Sequence, residues 1–200
     1  MSTHDRLRLY FAIELNESSR RALSQLIDEL KQGPWGHRVR WECPENLHIT
    51  LRFLGDIDPK RITTISLIQS AIKATRNIAP FYLQLHTIRF FPSPTAPRAI
   101  AADIIPISEL FELANTLEKV AAKLGFTPET KPYLPHLTLG RILVQHNAPC
   151  LREELKLNTS PMLVDKIALF GTEKSDYSSN YVAHDYISLQ TAAEAYTIET

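Results

Sequence analysis

Asn46-Leu47-His48-Ile49-Thr50-Leu51-Arg52-Phe53-Leu54-Gly55 and Pro135-His136-Leu137-Thr138-Leu139-Gly140-Arg141 are the stretches on which the reading of this chain turns. Each contains His-x-Thr-Leu with an aliphatic residue at x. In an extended strand, side chains at i and i+2 share a face. His48 and Thr50 therefore share one face, and Ile49, Leu51 and Phe53 are expected on the other. His136 and Thr138 likewise stand opposite Leu137 and Leu139. Each strand thus has an apolar face for a core and a polar face presenting an imidazole beside a hydroxyl. The chain has seven histidines, so about half of one His-x-Thr is expected by chance. Two copies with the aliphatic residue and the leucine fall to the order of 0.0001. The doubling is the signal. His4, His37, His86, His146 and His184 have no such context.

Outward from these strands, residues 6–14 alternate with Leu7, Leu9, Phe11 and Ile13 on one face, the pattern of a strand. A helix is expected next, capped by Asn16 or Ser18 and ended by Gly33. Val39-Arg40-Trp41 reads as a short strand. Asp58-Pro59 reads as an N-cap with proline at the first helical position. Ile62, Ile65, Ile68 and Ile72 then form the expected buried stripe. Strands are predicted over 81–91 and 98–105, a helix from Ser108 to Gly125, and a short helix near 149–156. Two final strands are predicted near 162–170 and 181–189. The expected fold is α+β and bilobal, a single two-lobed domain over 1–200. Two mostly antiparallel sheets with flanking helices should form a central cleft carrying the two His-x-Thr strands.

The chain has 200 residues and a net charge of zero, with 44% hydrophobic and 22% charged residues. That is the profile of an ordinary globular protein. Attraction to nucleic acid is not built into the overall charge, which argues against a coat protein and leaves room for an enzyme gripping one strand end. Two cysteines, Cys43 and Cys150, cannot make a disulfide framework or fill a zinc site. No stretch reads as a signal peptide or membrane span, so the expectation is a cytoplasmic protein with no membrane partner, and a monomer.

Imidazole titrates near pH 6.5, so one histidine can be a base while its partner is an acid. Cleaving a phosphodiester needs a proton taken from the attacking oxygen and one given to the leaving oxygen. Thr50 and Thr138 can donate hydrogen bonds to the phosphate oxygens between them. A zinc site would need further ligands, and neither His-Glu-x-x-His nor a suitably spaced Cys/His set is present, so no metal is expected. The remaining reading is of two His-Thr pairs decorating solvent faces.

These two motifs resemble the signatures of the two-histidine phosphoesterase superfamily, and within it the RNA 2′,3′-cyclic phosphodiesterase (2′-5′ RNA ligase-like) family. The opening Arg8-Leu9-Tyr10-Phe11-Ala12-Ile13-Glu14-Leu15, Arg98 and Tyr181 are similar to that family as well. The resemblance implies a site between lobes that hydrolyses RNA 2′,3′-cyclic phosphate ends to 2′-phosphomonoesters without a cofactor. It implies His48 as proton donor to the leaving 3′ oxygen and His136 as the base that activates water. Thr50, Thr138 and Arg141 would bind the substrate, an RNA 3′ end or a nucleoside 2′,3′-cyclic phosphate. Arg141 has a second reading, as a rim arginine paired with a carboxylate. Tyr10 and Phe11 could stack a base or belong to surface and core. The segment Phe170–Lys174 lacks the serine usual in that family, and Asn180 stands where glycine is frequent. Rival functions are 2′-5′ RNA ligation, cleavage of 2′-5′ linkages, and non-catalytic binding of a nucleotide or RNA end.

Overall fold

A computed structural model describes residues 7–33, 36–58, 63–143, 155–157, 159–174 and 179–190. The elements run β1 (Leu7–Glu14), α1 (Glu17–Lys31), β2 (Val39–Trp41), β3 (His48–Ile57), α2 (Thr64–Thr75), β4 (Phe81–Leu83), β5 (Leu85–Phe91) and β6 (Ala99–Ile104). They continue with α3 (Ser108–Lys123), β7 (His136–Ile142), β8 (Leu155–Lys156), β9 (Met162–Val164), β10 (Lys166–Lys174) and β11 (Ser179–Ser188).

The strands form an antiparallel sheet in the order β11-β10-β1-β3-β7-β6-β5-β8, with β2 pairing β7, while β4 and β9 pair separately. The long sheet is two half-sheets meeting at one place. β3 and β7 pair at Ile49↔Leu137, and beyond it β2 takes over the edge of β7 through Val39↔Ile142, Arg40↔Arg141 and Trp41↔Gly140. The junction therefore falls inside both His-x-Thr motifs. The expected α+β architecture holds, with helices flanking the two halves. α2 and α3 pack on each other, α2 against β11 and α3 against β3. α1 lies against Leu157 and Thr159. That segment is bonded to β5 through Leu157 N–H to His86 O at 2.7 Å and Thr159 Oγ1 to Leu85 O at 3.1 Å.

The core explains why these elements form. Leu9, Phe11 and Ile13 of β1, Leu23 and Ile27 of α1, and Leu110, Leu113 and Leu117 of α3 are buried in one cluster with Ile49 and Leu137. Asn16 caps α1, its Oδ1 accepting from Ser19 N–H at 2.9 Å. α3 stops at Gly125, whose φ of 86° suits glycine. Tyr10 and Ala12, on the other face of β1, are buried too, beside their register partners Phe170 and Ala168 of β10.

Several expectations are corrected. α2 starts at Thr64 with Thr63 as its cap, the hydroxyl accepting from Ser66 N–H at 3.2 Å, so Asp58-Pro59 does not open it. Pro59 and Ile62 lie outside the described residues. Its buried row is Leu67, Ile68, Ala71 and Thr75, whereas Ile65 and Ile72 are exposed. The isoleucine spacing misleads because Leu67 and Ala71 set the face that packs. The end of α1 is as expected: the helix closes at Lys31 with Gln32 as its C-cap, and Gly33 follows directly. The 81–91 strand divides at Gln84, whose amide donates to Thr159 O at 2.6 Å. Leu155 and Lys156 extend the sheet beside β5 rather than forming a helix, and residues 149–154, with Cys150, lie outside the described residues.

Candidate active site

Both motifs alternate in burial as strand geometry requires. His48 and Thr50 are half-buried between buried Leu47, Ile49 and Leu51; His136 and Thr138 are half-buried around buried Leu137 and Leu139. The antiparallel register about Ile49↔Leu137 sets His48 across from Thr138 and Thr50 across from His136. All four line one cavity of about 1010 Å³. Each imidazole is anchored the same way. His48 Nδ1 lies 2.6 Å from Asn46 O, and His136 Nδ1 lies 2.8 Å from Leu134 O. A carbonyl only accepts, so Nδ1 carries the proton in both rings and Nε2 is left to meet a substrate.

Both strands also bulge at the same motif position. β3 pairs Ala12↔Thr50 and then Phe11↔Arg52, leaving Leu51 as an extra residue; β7 pairs Ala101↔Thr138 and then Ile100↔Gly140, leaving Leu139. A bulge resets the alternation of faces. Five residues after each histidine a side chain thus returns to the cleft: Phe53 in one strand, Arg141 in the other. Phe53 is 44% exposed instead of sharing the core face with Ile49, which corrects the strict alternation expected. Arg52 turns inward, ion-paired to Glu118 of α3 and donating to Thr127 O at 2.7 Å. The equivalent residue in β7 is Gly140. A Cβ there would lie 2.5 Å from Val39 Cγ1, so only glycine lets β2 pack.

The surroundings of the two rings differ. His48 stacks on Tyr10 at 4.9 Å and meets Tyr181 edge-on at 5.3 Å. His136 stacks on Phe91 at 3.9 Å. Burial pushes the pKa of His48 below the ordinary value; the Asn46 carbonyl opposes this, and Arg141 and His136 add to it. Burial also lowers His136, opposed by the Leu134 carbonyl and by the Asp103 carboxylate, with Arg89 and Arg141 adding to the depression. Asp103 pairs with His136 in register across β6 and β7, and is ion-paired to Arg89. Its Oδ1 is buried with no hydrogen-bond partner. The register partner of His48 is Glu14, whose carboxylate acts on Tyr186 and not on the His48 ring.

A family model described as LigT-like phosphoesterase matches residues 13–101 and 105–178. The chain belongs to the LigT-like phosphoesterase family. A relative from Methanothermobacter thermautotrophicus, named RNA 2′,3′-cyclic phosphodiesterase, is 30% identical over 84% of this chain and 91% of its own. A protein of the same name from Archaeoglobus fulgidus is 33% identical over 68% of this chain and 73% of its own. Among solved structures, TT0787 of Thermus thermophilus superposes with a TM-score of 0.80 at 24% identity, over 92% of this chain and 99% of that one. Escherichia coli LigT in its apo form gives 0.76 at 22% identity, over 94% and 99%.

In this LigT-like phosphoesterase the five expected site residues all line the same cavity. Arg141 is 55% exposed at its side chain and sits 3.5 Å from Glu42, the rim pairing, while its charge is felt by both histidines. Arg98 lines the cavity as well. Phe11 is core, and Tyr10 is 3% exposed beneath His48, so neither offers an open ring to a base. Sequence reasoning missed Asp103, Arg89 and Phe91. The one available signal was a carboxylate ending the apolar run Ala99-Ile100-Ala101-Ala102. Among the described residues no three His, Cys, Asp or Glu side chains gather as a metal-holding group. No helix among them is long and apolar enough to cross a membrane.

Proposed function

We propose that this phosphoesterase hydrolyses RNA 2′,3′-cyclic phosphate ends to 2′-phosphomonoesters by metal-independent general acid–base catalysis. The carrying observation is the pair of Nδ1-anchored imidazoles, each across from the other strand's threonine in one cavity. The names of the archaeal relatives support the substrate.

His136 Nε2 takes a proton from water as the water oxygen bonds to phosphorus. The P–O3′ bond breaks and His48 Nε2 gives its proton to O3′. Thr50 and Thr138 donate hydrogen bonds to the non-bridging oxygens, where negative charge builds up. Solvent then reprotonates His48 and takes the proton from His136. The asymmetry around the rings supports these roles. A base gains from a carboxylate that stabilises its imidazolium, and Asp103 faces His136. An acid with a lowered pKa and no facing carboxylate gives up its proton more readily, the situation of His48. Arg141 adds positive charge at the phosphate.

Phosphorus NMR of the product from a nucleoside 2′,3′-cyclic phosphate, with chelator present, tests this. A 2′-phosphate is expected. A 3′-phosphate, or activity lost to chelator, overturns it.

A further inference from the structure

The cleft is larger than a single cyclic nucleotide needs. Its volume of about 1010 Å³ stands at the top of the range for small-molecule sites, about 300 to 1,000 Å³. The two histidines and two threonines line it where the two half-sheets join. Past Thr50, β3 leads to Phe53, and from His136 the chain leads back to Leu134 and Tyr133; α3 walls this end with Phe111 and Asn115.

Phe53, Phe111 and Leu134 are 44%, 39% and 51% exposed, three large apolar side chains left open in the lining of the cavity. They are held in place. Phe53 lies on Tyr10, with ring centroids 6.4 Å apart, and carries the Arg8 guanidinium at 5.5 Å. Phe111 stands edge-on to Tyr133 at 5.9 Å, and the Tyr133 hydroxyl donates to Thr50 O at 3.0 Å. The wall is thus tied to the strand that carries Thr50. Its chemistry suits a base more than a second phosphate. Glu112, Glu118 and Glu129 border this end, and Arg52 is committed to Glu118 and Thr127. Apolar rings with the Asn115 amide match the flat face and polar edge of a nucleobase. Exposed Lys131 at the rim can meet the phosphodiester that links two nucleosides.

We propose that the Phe53–Phe111–Leu134 end of the cleft is a subsite for the nucleoside preceding the cyclic-phosphate terminus. The substrate is then an RNA end at least two nucleotides long rather than a free nucleoside cyclic phosphate, an inference that rests on the reaction proposed above.

The test compares kcat/KM for a dinucleotide ending in a 2′,3′-cyclic phosphate with that for the matching mononucleotide. Stacking of one base predicts a preference of at least about fivefold for the dinucleotide. Phe111→Ala, checked for folding by circular dichroism, should bring that ratio toward one. A wild-type ratio near one overturns the subsite. So does an equal loss on both substrates in the variant, which would mean that the terminal base itself sits there. Calorimetry with the two 2′-phosphate products separates the failures. If no cyclic phosphate is opened the reaction falls, yet the ratio of the two product affinities still decides the subsite.

Discussion

The two motif strands share their histidine, threonine, bulge and backbone anchor, and then part company. After the bulge β3 continues with Arg52 inward and Phe53 toward the cleft; β7 continues with Gly140 inward and Arg141 toward the cleft. One strand thus ends in exposed apolar surface at Phe53 and the other in an ion pair between Arg141 and Glu42. The comparison separates two requirements. The proposed movement of two protons across one phosphorus calls for near-symmetry, and the four central residues match. Recognising an asymmetric molecule demands difference, and the difference begins one residue past the bulge.

Removing either imidazole tests the symmetric part and should have the largest effect. His48→Ala and His136→Ala are each expected to lower kcat by about 10²- to 10⁴-fold, with the circular dichroism spectrum unchanged. If one variant keeps near-wild-type turnover, the pair is not a working pair. Thr50→Val and Thr138→Val come next, each costing about 10²- to 10³-fold in kcat through a lost donor to the developing charge. Strongly unequal losses would show that one hydroxyl carries the phosphate.

The residues after the bulges should separate stability from activity. Arg52→Ala leaves Glu118 and the Thr127 carbonyl without their partner in a largely buried place, so urea unfolding should show a loss of about 3 kcal/mol. Arg141→Ala, half exposed, should change stability by less than about 0.5 kcal/mol while lowering kcat/KM about tenfold. The reverse outcome would place the structural arginine on the wrong strand.

The smallest effect is in pH. With one histidine required protonated and the other neutral, the optimum of kcat/KM lies at the mean of their two pKa values. Both are lowered, chiefly by burial, so the optimum is expected on the acid side of 6.5. Asp103 raises His136; replacing it in Asp103→Asn lowers that pKa further and should move the optimum more acid. Glu14→Gln, at the matching position beside His48, should leave the optimum in place. An optimum unmoved by Asp103→Asn would remove the carboxylate from the account of His136.

What the sequence disclosed was whatever local geometry determines. The faces of His48-Ile49-Thr50-Leu51 and of its counterpart follow from a period of two, and the Asn16 cap and Gly125 stop follow from side-chain chemistry. What it concealed depends on partners distant in the chain. Phe53 leaves the core because a bulge forms against β1, which no window around Phe53 contains. Thr63 rather than Asp58 opens α2, and the face the helix buries is chosen by α3 and β11. Asp103 meets His136 only through the pairing of β6 with β7, so its relation to the site was invisible until the register was known.

The single pairing of Ile49 with Leu137 has a mechanical meaning. It makes the proposed catalytic residues the pivot between the two half-sheets. Displacement about a pivot grows with distance from it, so any rocking of the halves moves the outer strands β8 and β11 far more than it changes the separation of His48 and His136. A junction built this way holds nearly constant the one spacing on which the proposed proton transfer depends.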